Sequence, residues 1–349
     1  MDYQLLKSLE TCRSYKDKYN RYVTAPTCYL HAQNDGSLVP IAIMIPHADK
    51  TQQALMFTPK DSDVDWLIAK MWLRQSDAQI HQVVERHLKT QLTMEAFAVA
   101  TLRNLPSSHP IYKLLLPHLR YVISINVQGR QYLYPSNDGL FTKLLSVGGQ
   151  HMELLKEAYR EFELSDMHFI NFIENQGTDD AAKLPNYYYR DDGCLLWNAI
   201  NKLVRTAVYV HYWSPENVRG DFELQSWLED LRTNGFPNWP GDKTNAHGLP
   251  ETFHNLDVLV EVLTTVIFTA SARNAALTLG MMDYYSFIPN MPAMLLSPPP
   301  TAKGKTKMAD IKDMLPSRGK SAEVIAACYT LSRFGKDEVM NACLTSFCI

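Results

Sequence analysis

The segment from Gln79 to Asn104 constrains this chain more than any other. It reads as one long helix that Leu105-Pro106 terminates, because proline has no N–H and its ring clashes with the preceding turn. Its apolar residues cover much of the circumference instead of one stripe, so a core has to surround it. A second stretch, Val258 to Ala272, is also strongly apolar. It is interrupted by Glu261 and followed by Arg273, short of the ~18 uninterrupted residues of a membrane span, and reads as a buried core helix. Two enclosed helices of this kind call for a mainly α fold with a large interior.

The rest of the chain fits around them. Cys28 to Ile45 reads as a β-hairpin, with Asn34-Asp35-Gly36 supplying turn chemistry between two apolar runs. Val64 to Arg74 carries apolar residues at helical spacing, with Asp61 and Asp63 near its start. Further helices are predicted at Met152 to Glu163, Leu195 to Tyr212, Glu223 to Thr233, Leu256 to Leu279 and Ser321 to Phe334. Breaks fall at Pro185, at Pro237 to Gly241 and at Pro298-Pro299-Pro300. No Pro/Gly/Ser linker divides the chain and no repeat is visible, so residues 1–349 read as a single domain with a small β appendage.

Composition excludes several classes. Apolar residues make up 46% of the 349 and charged residues 20%, an ordinary globular balance. A net charge of −3 with dispersed Lys and Arg gives no footprint for nucleic acid. The longest basic run, Lys303 to Lys307, reads as a solvated loop. Six cysteines (Cys12, Cys28, Cys194, Cys328, Cys343 and Cys348) form no CxxC pair, which argues against a zinc or dithiol site and for a reduced, cytoplasmic protein. The charged start MDYQLLKSLE lacks the apolar core of a signal peptide, and the chain is expected not to be transmembrane.

Several blocks, in order, resemble one known family. They are RYVTAP from Arg21, LVPIAI (Leu38 to Ile43), DWLIAKMW (Asp65 to Trp72), Ile80 to Leu115, and HPIYKLLLPHLRYVISIN (His109 to Asn126). YYYRDDG (Tyr187 to Gly193), TTVIFTASARNAALTLG (Thr264 to Gly280) and SPPPTAKG (Ser297 to Gly304) complete the set. All resemble animal-type lipoxygenases, from about Tyr22 to about Val339. The resemblance implies a mainly helical catalytic fold, a lipid channel and a non-haem iron that adds dioxygen to polyunsaturated fatty acids. It also implies that the family's N-terminal β-sandwich is missing and that Ile349, although terminal, comes too early to supply the family's carboxylate ligand.

In that family one helix carries His-x4-His and the other His-x3-Asn as iron ligands. The matching positions here are Arg86, Gln91, Asn274 and Thr278. Residues i and i+5 lie about 140° apart on an α-helix, so the first pair shares a face only if the helix carries a π-type distortion. Arginine offers five donors, no acceptor and a permanent charge; amides and a hydroxyl are weak substitutes for imidazoles. No cofactor is therefore predicted. His87 lies roughly 100° around from Arg86, while His81 and Glu85 share what reads as a surface-facing side. Each histidine reads as an ordinary core or surface residue before it reads as a relocated ligand.

Three residues are assigned to lipid. Gly129 occupies the position at which the family's Ala or Gly sets the product's handedness, and glycine would leave room beside the reacting carbon. Leu133 matches a leucine that clamps substrate, with core packing as the equal alternative. Arg86 could pair with a fatty-acid carboxylate or a hydroperoxide, or else with a protein carboxylate. Arg190-Asp191-Asp192-Gly193 reads as a loop entering the helix near Leu195, with aspartates suited to its positive end. Three functions compete. The first is an inactive homologue that binds a long-chain fatty acid, a lipid hydroperoxide or a protein partner. The second is an unconventional oxidoreductase acting on such lipids, and the third is an incomplete product whose exposed core faces would aggregate.

Overall fold

The computed structural model describes residues 3–9, 21–47, 53–237 and 246–333. The chain starts with strands β1 (Thr27–Ala32), β2 (Leu38–Ile45) and β3 (Leu55–Phe57), then turns helical. Helix α1 (Asp63–Ile80) passes into a π-helical segment, His81–Leu92, and then into α2 (Thr93–Asn104). Helices α3 (Pro110–Leu115), α4 (Val122–Tyr132), α5 (Tyr188–His211) and α6 (Phe222–Asp230) follow among shorter turns. Helix α7 (Leu256–Phe268) continues through a second π-helical segment, Thr269–Arg273, into α8 (Asn274–Thr278), and α9 spans Arg318–Leu331. No described helix is long and apolar enough to cross a membrane.

Two compact units share this chain, one holding residues 3–87, 128–159 and 277–333, the other 88–127 and 160–276. In the first, β1, β2 and β3 form an antiparallel sheet in that order. The hairpin lies where the sequence places it. Gly36 takes φ +80° in its turn, and the Asp35 carboxylate accepts from the Ser37 N–H at 2.9 Å. The register slips by one residue opposite Tyr29 and Leu30, where Pro40 has no N–H for the ladder. The short β3 carries no signal of its own in the sequence.

Helix α1 differs from expectation. The sequence suggests one helix ending near Arg74 and another starting near Gln79, but the turn between them is unbroken. Its polar residues are buried and occupied. The Gln75 amide donates to Tyr22 O, Ser76 Oγ to Thr24 O, and the Gln79 amide to Ala293 O while accepting from Val147 N–H. Side chains that suggested a break instead tie neighbouring segments to the helix.

The second unit is built on α7, buried along nearly its whole length and packed along α5, and on α6 packed against α2. Trp227 is fully buried beside Phe97, and its indole N–H donates to Thr101 Oγ1 at 3.1 Å. Arg190 to Gly193 are not a loop. They lie in the opening turns of α5, with Asp191 in the first turn and accepting from Arg190 at 2.6 Å. Cys12, Cys343, Cys348 and Ile349 lie outside the described residues, as does most of the 237–241 break.

Candidate functional site

Arg86 and Thr278 belong to the first unit, Gln91 and Asn274 to the second. The expected distortion is present: Arg86 and Gln91 both lie on the π-helical segment His81–Leu92. In such a helix the backbone bonds run i to i+5, the spacing of this pair. A second π-helical segment immediately precedes Asn274.

In the second unit, the Gln91 amide nitrogen donates to the Asn274 side-chain oxygen at 3.2 Å. The Asn126 amide donates to Gln91 O at 2.8 Å, fixing α4 to this part of the helix.

In the first unit, Arg86 is 5% exposed and Thr278 is buried. Burial lowers the Arg86 pKa, opposed by the Tyr134 and Tyr285 hydroxyls and the Cys328 thiol nearby. The thiol is itself pushed up to about 11 by burial, so it is not a thiolate at neutral pH. His87, beside Arg86, is pushed down to about 3, first by burial and then by the charge of Arg86. The neutral ring lies 2.7 Å from the Tyr134 hydroxyl through Nδ1 and packs against the tyrosine ring at 3.9 Å between centroids.

Tyr134 decides what Gly129 can do. A Cβ at Gly129 would lie 2.7 Å from the Tyr134 hydroxyl oxygen and 2.9 Å from Cζ. The room that a glycine leaves beside α4 is taken by a side chain five residues later. Leu133 is half-buried, its N–H bonded to Gly129 O at 2.8 Å, one turn back as expected.

His81 does not share a surface face with Glu85. Its Nε2 lies 2.9 Å from Leu277 O, so this nitrogen carries the proton, and Nδ1 accepts from the Tyr285 hydroxyl at 3.1 Å. Burial lowers its pKa. His151 is likewise lowered by burial, and its two ring nitrogens face Gly148 O and Tyr134 O.

One cluster that the sequence did not single out has the composition of a metal site: His109, Asp221 and Glu223. Its protons argue otherwise. His109 Nδ1 accepts from Ile111 N–H at 3.1 Å, so Nε2 carries hydrogen and donates to Asp221 at 3.1 Å. A nitrogen that carries a proton has no lone pair for a metal. Asp221 also accepts from Tyr212 Oη at 2.6 Å and from Leu224 N–H, capping α6 while His109 caps α3. Burial raises the Asp221 pKa, but bonds from His109, Tyr212 and Leu224 outweigh it and hold the group down at about 2. Stability from Asp221 is therefore complete above the unfolded carboxylate value and lost as pH falls through about 2. Asp221→Ala is expected to cost about 2–3 kcal/mol in urea unfolding at pH 7, and less at pH 2.

The family profile described as Lipoxygenase matches residues 2–342. The chain belongs to the lipoxygenase family. It is 38% identical over 319 residues to an allene oxide synthase-lipoxygenase protein of Plexaura homomalla, covering 91% of this chain and 30% of that one. It is 36% identical to the hydroperoxide isomerase ALOXE3 of Mus musculus, covering 91% and 44%. Among solved structures, the delta413-417:GS LOX in complex with arachidonate superposes with a TM-score of 0.92 at 35% identity, over 99% of this chain and 54% of that one. Coral 8R-lipoxygenase gives 0.88 at 34% identity, over 99% and 53%. This lipoxygenase-family chain thus spans less than half the length of these curated relatives and about half of the solved chains.

Proposed function

We propose that this lipoxygenase-family protein does not carry out iron-dependent dioxygenation, and that its remaining role is to bind a long-chain fatty acid or lipid hydroperoxide. The hydrogen bond between Gln91 and Asn274 carries this reading. At two positions where relatives of this type would place imidazoles, one amide donates to the other. Amide oxygens are weak donors to a ferrous ion, and the neutral nitrogen of an amide is no donor at all. Arg86 brings a buried positive charge to a third position, and the Thr278 hydroxyl is a poor ligand at the fourth. These four residues do not fit a non-haem iron.

Gly129 and Leu133 are the residues this reading assigns to lipid, whereas Arg86 is a buried charge whose part in lipid binding Arg86→Met tests. Tyr134 fills the notch at Gly129, so an acyl chain reaching that glycine has to displace the tyrosine ring from His87. ALOXE3 is a hydroperoxide isomerase by name, which sets the second substrate class to assay beside the fatty acid.

Purified from iron-supplemented cells, the protein is expected to hold less than about 0.1 iron per chain by elemental mass spectrometry. It should form no conjugated diene from linoleate. Near-stoichiometric iron with diene formation would overturn the reading, whereas turnover of a lipid hydroperoxide without iron would select the unconventional oxidoreductase.

A further inference from the structure

Helix α5 carries a second pattern beyond the one that buries it. Leu196, Ala199, Leu203, Thr206 and Val210 all face solvent and recur at alternating steps of three and four residues. That spacing is the seam along which one helix packs on another. The seam is about 21 Å long. Leu196, Leu203 and Val210 are 49%, 39% and 67% exposed, and Leu195 beside them is 72% exposed. Tyr188 at the start of the helix and Trp213 just past its end are 68% and 78% exposed.

The seam is ready to be dried. Its one hydroxyl, on Thr206, already donates to Lys202 O at 2.8 Å, so covering it strands no donor. The rim is held in place, since Arg205 and Tyr209 both bond Asp257 at 2.7 and 3.2 Å. That ion pair neutralises charge that would otherwise face an incoming partner.

We propose that a second copy of this chain docks on α5, helix to helix and antiparallel. In that arrangement Leu203 of one copy meets Thr206 of the other and Val210 meets Ala199, a larger side chain facing a smaller one in these central layers, while Leu196 meets Trp213 at either end. A parallel pair would stack Leu203 on Leu203 and leave gaps at Ala199 and Thr206. Antiparallel helices also oppose their dipoles favourably. The exposed apolar side chains of the seam and its flanks, from Tyr188 to Trp213, offer at most about 800 Å² per copy, the size that a standard interface removes from each partner.

Sedimentation velocity of the full chain from about 1 to 100 µM tests this directly. Wild type is expected to pass from monomer to dimer in that range. Leu203→Glu should weaken association at least tenfold while keeping the helical circular dichroism spectrum. Leu102→Glu, at a more exposed leucine on α2, should change nothing. Leu203→Glu/Thr206→Lys should recover the dimer, because in the antiparallel register each new glutamate faces a new lysine. A wild-type monomer throughout would overturn the proposal, and so would a dimer indifferent to Leu203→Glu. A monomer that cosediments with phosphatidylcholine vesicles through these residues would overturn it in favour of a lipid surface.

Discussion

Replacing Gly193 with alanine is expected to destabilise the protein by about 2–4 kcal/mol, although alanine is the better helix former by about 1 kcal/mol. Gly193 is buried in the opening turns of α5, and a Cβ there would run into Cζ, Cε1 and Cε2 of Phe169. The ring has no retreat. Phe169 is 2% exposed, with the Phe268 ring 4.7 Å away, Tyr189 at 5.5 Å and Trp197 at 6.4 Å. Close-packed aromatic clusters of this kind answer an added methyl with off-rotamer side chains or a shifted helix. Urea unfolding of Gly193→Ala measures the cost. Gly319→Ala is the control, since a Cβ there meets nothing within 4 Å and the same change should stabilise by about 0.5–1 kcal/mol. Phe169→Leu in the Gly193→Ala background should return part of the loss. If Gly193→Ala alone were neutral, the packing described around Phe169 would be wrong.

Arg86→Met is expected to move stability the other way, upward by about 1–3 kcal/mol, with no loss of fatty-acid binding. A guanidinium at 5% exposure gives up hydration, and burial is the largest influence on its pKa. Methionine keeps the apolar stem of the side chain and has no charge to be stripped of water. The substitution also removes the positive charge next to His87. A loss of about 3 kcal/mol or more would mean that Arg86 is half of a buried ion pair that holds the unit together. Loss of binding to a fluorescent fatty acid, with stability intact, would make the arginine the anchor for the lipid carboxylate.

Parts of the molecule were legible in the sequence for identifiable reasons. Asn34-Asp35-Gly36 carries its own turn chemistry, and the long apolar helices need only a period of 3.6 to be seen. The π-type distortion at Arg86 and Gln91 followed from the family resemblance, which puts two ligand positions five residues apart, a spacing that no regular α-helix aligns. What escaped depends on partners distant in the chain. Gln75, Ser76 and Gln79 look like a break until Tyr22, Thr24 and Ala293 arrive to bond them. Gly193 looks like a loop residue until Phe169 is seen against it. Gly129 looks like open space until Tyr134 folds back over it, and His81 looks like a surface residue until Leu277 and Tyr285 occupy both its nitrogens.

The neutral histidines make unfolding a proton-consuming reaction. His81, His87 and His151 are all held by burial below the ordinary imidazole value, and His118 is pushed down to about 4 for the same reason. Released into water, each recovers a pKa of about 6.5 and takes up a proton as the solution becomes more acid than that. The native state is therefore favoured above that pH and loses ground as pH falls below it, the unfolded chain binding more protons. The enthalpy of melting in mildly acid solution then includes the ionisation heat of whichever buffer supplies those protons.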